Sequence, residues 1–124
     1  MSIRVPIVED FRRTILRLEE VLKLGKNDIV RDSAIKRFEL CFDLAWKCIQ
    51  AQARQEGLEC HSPRSCLKIA VQLGLLAHDD TWLKMLEDRN LAVHTYKEKY
   101  ADEIYGRLSS YTSLLADLAK KLSA

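Results

Sequence analysis

Apolar residues recur at spacings of three and four along almost the whole chain, and the recurrence is cut only where glycine or a serine-proline pair stands. That rhythm is the repeat of a helix that buries one face, and it leaves no stretch with the alternation of a half-buried strand. Val8, Phe11, Ile15, Leu18 and Leu22 mark a first helix over residues about 5 to 24, ending at Gly25. Ile35, Phe38, Cys41, Phe42, Ala45 and Ile49 mark a longer one over about 28 to 56, stopped by Gly57. Leu44 and Trp46 widen its apolar face beyond what one neighbour covers, so this helix is either central or an interface helix.

Ser62 followed by Pro63 reads as an N-cap with proline at the first helical position, and Gly74 closes a short helix over about 63 to 73. Asp79 or Asp80 can cap a fourth helix over about 80 to 94, which carries Trp82, Leu83, Leu86 and Val93 inward. After the polar connector Lys97-Glu98-Lys99, the pattern resumes over about 99 to 122 with Ile104, Leu108, Tyr111, Leu115, Leu118 and Leu122. The expected fold is all-α: an up-and-down antiparallel bundle of four main helices plus a short insert helix. At 124 residues, the chain is expected to form a single domain over 1–124.

The net charge of +2 is a small difference between 20 basic and 18 acidic residues, so no global field draws the protein to a polyanion, and any RNA contact must be local. No apolar h-region stands at the start, and no uncharged run approaches the roughly 20 residues of a membrane span, so a soluble, cytoplasmic protein is expected, with no membrane partner. The four cysteines do not carry metal-site spacing. Cys41 and Cys48 lie on one helical stripe as small core residues would, whereas Cys60, His61 and Cys66 straddle the start of the short helix. No metal or other cofactor is expected, and all four thiols are expected to be reduced.

The segment with the most chemistry is Arg89-Asn90-Leu91-Ala92-Val93-His94-Thr95-Tyr96. In a continuous helix Asn90 would stack under His94 and Arg89 under Tyr96, so that all four side chains line one cleft. Arg89 supplies a permanent planar cation that can hold the nonbridging oxygens of a phosphodiester, and His94 can accept a proton near neutral pH. Asn90 can hold a phosphate oxygen or orient the imidazole. The structural alternative is that Arg89 pairs with Glu87 or Asp88, that His94 is a half-buried helix-end residue and that Tyr96 packs. Trp46 and Trp82 read as core, His61 and His78 as exposed connector residues, and Lys97 and Lys99 as solvated cations beside the cleft.

Arg89 and His94 in this spacing resemble the signature of HEPN domains, and the extension to Tyr96 resembles the RX4HXY form of HepT toxins. The segment Ala34 to Lys47 resembles the central helix of nucleotidyltransferase substrate-binding-like proteins, and the likeness extends over roughly residues 5 to 120. The resemblance implies a homodimer acting as a toxin in a toxin-antitoxin pair, a metal-independent endoribonuclease with Arg89, Asn90 and His94 as catalytic residues and RNA as substrate. It also implies a minimal nucleotidyltransferase antitoxin that attaches adenylate to Tyr96 (AMPylation). No DNA partner is expected. The rival expectation is a noncatalytic subunit that presents a nucleotide or other substrate to a nucleotidyltransferase.

Overall fold

A computed structural model describes residues 7–123, and in it the chain is helical throughout apart from its connectors. The elements are α1 (Ile7–Leu22), α2 (Asp28–Gln55), α3 (Pro63–Gln72), α4 (Asp80–Leu91), a 3₁₀ turn (Ala92–His94) and α5 (Glu98–Ser123). The expected start of the first helix at about residue 5 lies outside the described residues.

Local chemistry explains most boundaries. Asn27 caps α2 by accepting a 2.9 Å bond from the Val30 amide, and Ser62 and Ser65 form a reciprocal capping box at the start of α3, with Pro63 just inside it. Gly57 and Gly74 adopt φ of 79° and 77°, the left-handed conformation that lets the chain leave a helix while its last carbonyls stay bonded. The amide of Leu58 reaches Ala53 O at 2.9 Å and that of Leu75 reaches Ala70 O at 2.8 Å, each the longer bond of a Schellman ending. Gly25 does not play this part: its φ is not positive, and α1 has already ended at Leu22. Asp79 stands at the N-cap of α4 but makes no side-chain cap bond.

Consecutive long elements alternate in direction. Arg37 of α2 donates to Arg17 O of α1 at 2.6 Å, while Val30 and Val21 share a depression further along, so α1 and α2 are antiparallel. In the same way, Trp82 and Leu118 line one depression and Asp88 bonds Arg107, which sets α4 against the direction of α5. The helices α2 and α5 therefore share a direction: Arg31 bonds Asp102 near one end, and the Phe38 and Tyr111 rings stack at 5.4 Å further along. This is the all-α up-and-down bundle, with α2 touching every other element and so serving as its central helix.

One continuous apolar cluster fills the bundle. Phe11 and Leu18 of α1, Phe38, Phe42 and Ile49 of α2, and Ile104, Leu108, Tyr111, Leu115 and Leu118 of α5 are nearly or fully buried. On α1 the residue closing the stripe is Val21, and Leu22 is only half-buried. Trp82 is buried, and Trp46 is half-buried against the same cluster. Truncating a ring such as Phe38 to alanine in an interior of this kind costs about 3–5 kcal/mol.

The cysteines divide. Cys41 and Cys48 are free and buried in the core, where loss of hydration of the thiolate pushes their thiols up to about 11 and about 12. Cys60 and Cys66 are joined by a disulfide, contrary to the expectation of four reduced thiols. The capped turn at Ser62 folds the connector back over the first turn of α3 and brings the two Cα atoms to 5.1 Å. Compartment and spacing carry no information about that proximity.

Candidate functional site

The motif residues lie where α4 gives way to α5. Asp88 is fully buried and faces α5, where Arg107 donates from Nε at 2.7 Å and from Nη2 at 2.8 Å, and the Tyr111 hydroxyl donates at 2.6 Å. The bonds to Asp88 hold the Arg107 guanidinium firmly protonated, and burial together with the Asp88 carboxylate pushes the Tyr111 phenol up. Because successive helical residues point about 100° apart, Arg89 turns away from α5 and toward α2. It donates to Asp43 from Nε at 3.0 Å and from Nη2 at 3.2 Å. That pair is half-exposed, with side-chain exposures of 39% and 32%. The Asp43 bonds raise the Arg89 pKa, burial opposes them, and the charges of Asp43 and Glu39 add to the rise.

The helix tightens just beyond. The Ala92 amide bonds Arg89 O, three residues back, and the chain runs as a 3₁₀ turn through His94 before a turn closed by Lys97 N to His94 O at 3.0 Å. Two expectations change as a result. Val93 points outward and is 69% exposed, where continued α-helical phase would have buried it. Tyr96 sits in the turn and not on a helix, so it does not stack over Arg89. It turns instead to His94, whose Nδ1 lies 3.1 Å from the Tyr96 hydroxyl, with the two rings edge to face at 5.7 Å. His94 and Asn90 are both exposed.

The structure thus forms two pairs, Arg89 with Asp43 midway along α2 and His94 with Tyr96 on the turn that follows α4. Among the described residues no hydrogen bond joins one pair to the other. The structural alternative pairs Arg89 with Glu87 or Asp88, and neither is its partner. Glu87 instead lies 3.4 Å from Lys84, and Asp88 is spent on α5. Asp43 stands inside the segment singled out on α2, yet the sequence pattern assigns it no role. The available signal is slight, a lone carboxylate between the apolar Phe42 and Leu44 of that segment.

The start of α5 is held from the other side. Arg31 of α2, nearly fully buried, donates to Glu98 and to Asp102, the latter at 3.1 Å, and to its neighbour Asp32 at 3.0 Å. The segment from residue 95 to 97 is therefore strung between two ion-paired helix ends. Lys97 and Lys99 are exposed, Lys97 Nζ lying 5.5 Å from the Tyr100 ring centre. His78 and His61 are exposed connector residues, His61 lying 3.6 Å from Glu59. Among the described residues no group of three or more His, Cys, Asp or Glu side chains is placed to hold a metal ion, and no described helix is long and apolar enough to cross a membrane.

Residues 7–124 match the family described as nucleotidyltransferase substrate binding protein like. The chain belongs to that family. Its fold is shared by a Thermus thermophilus protein of known structure, 36% identical, with a TM-score of 0.86 over 92% of this chain and 99% of that one. HI0074 from Haemophilus influenzae, described as the fold of a substrate binding domain of a nucleotidyltransferase, superposes with a TM-score of 0.85 over 94% of this chain and 99% of its own. At 19% identity that likeness speaks for the fold alone. The probable ribonuclease HepT of Haemophilus influenzae is 25% identical over 92 residues, 67% of this chain. The match spans 63% of that relative's length.

Proposed function

We propose that this family member is a HEPN-type toxin, a metal-independent endoribonuclease whose activity a partner nucleotidyltransferase removes by adenylylating Tyr96. The observation that carries the reading is the His94–Tyr96 contact at 3.1 Å on an exposed turn, just beyond an Arg89 held by Asp43. The similarity to a probable ribonuclease HepT supports it. His94 takes the proton of a ribose 2′-hydroxyl; that oxygen attacks the adjacent phosphorus, and the bond from phosphorus to the 5′ oxygen breaks. The products are a 2′,3′-cyclic phosphate and a 5′-hydroxyl. Arg89, helped by Asn90, stabilises the charge that builds on the nonbridging oxygens.

The leaving 5′ oxygen needs a proton, and a twofold dimer supplies it by bringing a second His94 to the same cleft. Silencing follows from charge and bulk. The Tyr96 oxygen attacks the α-phosphorus of ATP and pyrophosphate leaves, with the phenol proton lost to a base. The attached adenylate then places an anion where the RNA phosphate must sit. Cutting should survive a chelator and should stop when the 2′-hydroxyl at the scission site is replaced by hydrogen. Cutting of the deoxy substrate would remove this mechanism, and loss of activity with chelator would point to a metal.

A second reading is supported by the family match, described as nucleotidyltransferase substrate binding protein like: the chain binds a nucleotide or other substrate for a separate nucleotidyltransferase without doing chemistry. Expression of the chain in a bacterial host beside His94→Ala separates the two. Growth arrest and RNA breakage with the wild-type chain alone favour the ribonuclease, and equal growth favours the binding subunit.

A further inference from the structure

We infer that Asp43 is a positioning residue for the ribonuclease reaction: it grips one edge of the Arg89 guanidinium so that the opposite edge is presented to the scissile phosphate. The inference rests on the ribonuclease reading of the site. A guanidinium carries five N–H donors in a rigid plane, arranged as a side edge (Nε with one hydrogen of Nη2) and an outer edge (Nη1 with the other hydrogen of Nη2). Asp43 occupies the side edge with both of its oxygens, at 3.0 and 3.2 Å. Nη1 bonds no described side chain or carbonyl, so a complete two-pronged edge is left for an oxyanion. The carboxylate stands on the central helix, which packs against every other element.

The alternative for this carboxylate is competition, in which it fills the seat of the phosphate and must be pushed out before substrate binds. The atom pairing decides between them. A competitor would take the outer edge, where an end-on approach meets two Nη nitrogens, whereas Asp43 uses Nε. Arginine on a mobile stem loses much of its rotamer freedom when one edge is clamped, so the phosphate does not have to order it. Removing the clamp leaves a cation in place but lets its plane swing, which matters most when charge is building in the transition state.

Kinetics of RNA cleavage by Asp43→Asn test this. Misplacement of a catalytic group by about 1 Å costs on the order of 100-fold, so kcat should fall by about that factor. KM should stay the same or fall, since a negative charge near the substrate phosphate has been removed. A merely structural role predicts instead a lowered melting temperature with kcat of the folded fraction unchanged. That result, or a kcat that rises, would overturn the proposal.

A second measurement uses the wild-type chain and needs no RNA cleavage, so it separates failure of this inference from failure of the ribonuclease reading. In nitrogen-15 NMR at neutral pH, the Arg89 Nε–H should exchange slowly with water because Asp43 holds it. Titration with inorganic phosphate should shift the Nη signals while Nε–H stays protected. Loss of that protection as phosphate binds would mean that the anion displaces Asp43, and the carboxylate would then be a competitor.

Discussion

Asp88 and Arg89 are consecutive residues on α4, and each forms a two-bond ion pair with another helix, but the two pairs sit in different surroundings. Asp88 is fully buried, and its oxygens are taken up by Arg107 and Tyr111. Arg89 and Asp43 remain about one-third exposed. A buried charge cannot be left unpartnered without a large penalty, so the first pair fixes how α4 meets α5. An exposed pair contributes little to stability, commonly about 0–1 kcal/mol, and is free to serve chemistry. The polypeptide step from Asp88 to Arg89 thus crosses from architecture to candidate function. What lies beyond it, His94 and Tyr96, is on the solvent side.

The sharpest way to break that comparison is to remove the exposed side. Arg89→Ala and His94→Ala should each lower RNA cleavage by about 10²–10⁴-fold, the usual worth of a proton-transfer group or of a charge-stabilising contact. Thermal melts by circular dichroism should move little, because neither residue helps to fill the core. A collapse in melting temperature in either variant would place that residue with Asp88 instead.

The next largest effect is on the buried side. Asp88→Ala should destabilise the bundle by about 3–5 kcal/mol, since it strands the Arg107 charge and the Tyr111 hydroxyl. Arg107 is 33% exposed and can partly rehydrate, which favours the lower end of that range. Urea denaturation measures it. A loss below about 1 kcal/mol would mean that this network is no more structural than a surface pair.

The same contrast separates what is legible in the sequence from what only tertiary packing decides. Helix positions followed from spacing, and the endings at Gly57 and Gly74 from the left-handed backbone that glycine favours. Val93 departs from its expected inward place because a 3₁₀ turn advances its side chains by a different angle than an α-helix does. Of the candidate site, the place of Arg89 near the end of α4 is legible, since caps and periodicity are local, whereas His94, expected on a helix running to about residue 94, lies in the 3₁₀ turn beyond Leu91. The partner of Arg89 is not legible, because Asp43 lies 46 positions away and only tertiary packing selects it over Glu87 or Asp88. The Cys60–Cys66 bond escaped for a related reason, being a product of how the Ser62 turn folds back.

Tyr96→Phe sharpens the comparison with a smaller perturbation, the loss of one hydroxyl from a residue that is 74% exposed. Its melt should match the wild-type chain. Incubation with the cognate nucleotidyltransferase and ATP should raise the mass of the wild-type chain by one or more adenylate units and silence cutting, and should do neither to Tyr96→Phe. Tyr100 and Tyr105 are controls, the first beneath Lys97 and the second beneath Lys26. Adenylate mapped to either of them by mass spectrometry would shift regulation away from the His94 contact. Neutralisation without any added mass would point to occlusion of the cleft by the partner.

The smallest expected effect belongs to Asp102, which extends the comparison to a second exposed carboxylate on an ion-paired helix end. Hydrogen bonding to Arg31, opposed by desolvation and aided by Lys26, holds its carboxyl below the ordinary carboxylate value. A lowered folded-state pKa means that the unfolded chain takes up the proton first as pH falls. The stabilisation is therefore present above the unfolded value, about 3.9, and is lost as pH drops through the lower, folded one. Asp102→Asn should give a slightly lower urea midpoint than wild type at pH 7, and the gap should narrow as pH falls below the unfolded value. Arg31 keeps Glu98 and Asp32 as partners, so the change at pH 7 should be well under that of Asp88→Ala. A gap that persists unchanged at low pH would show that the Asp102 side chain acts through packing and not through its charge.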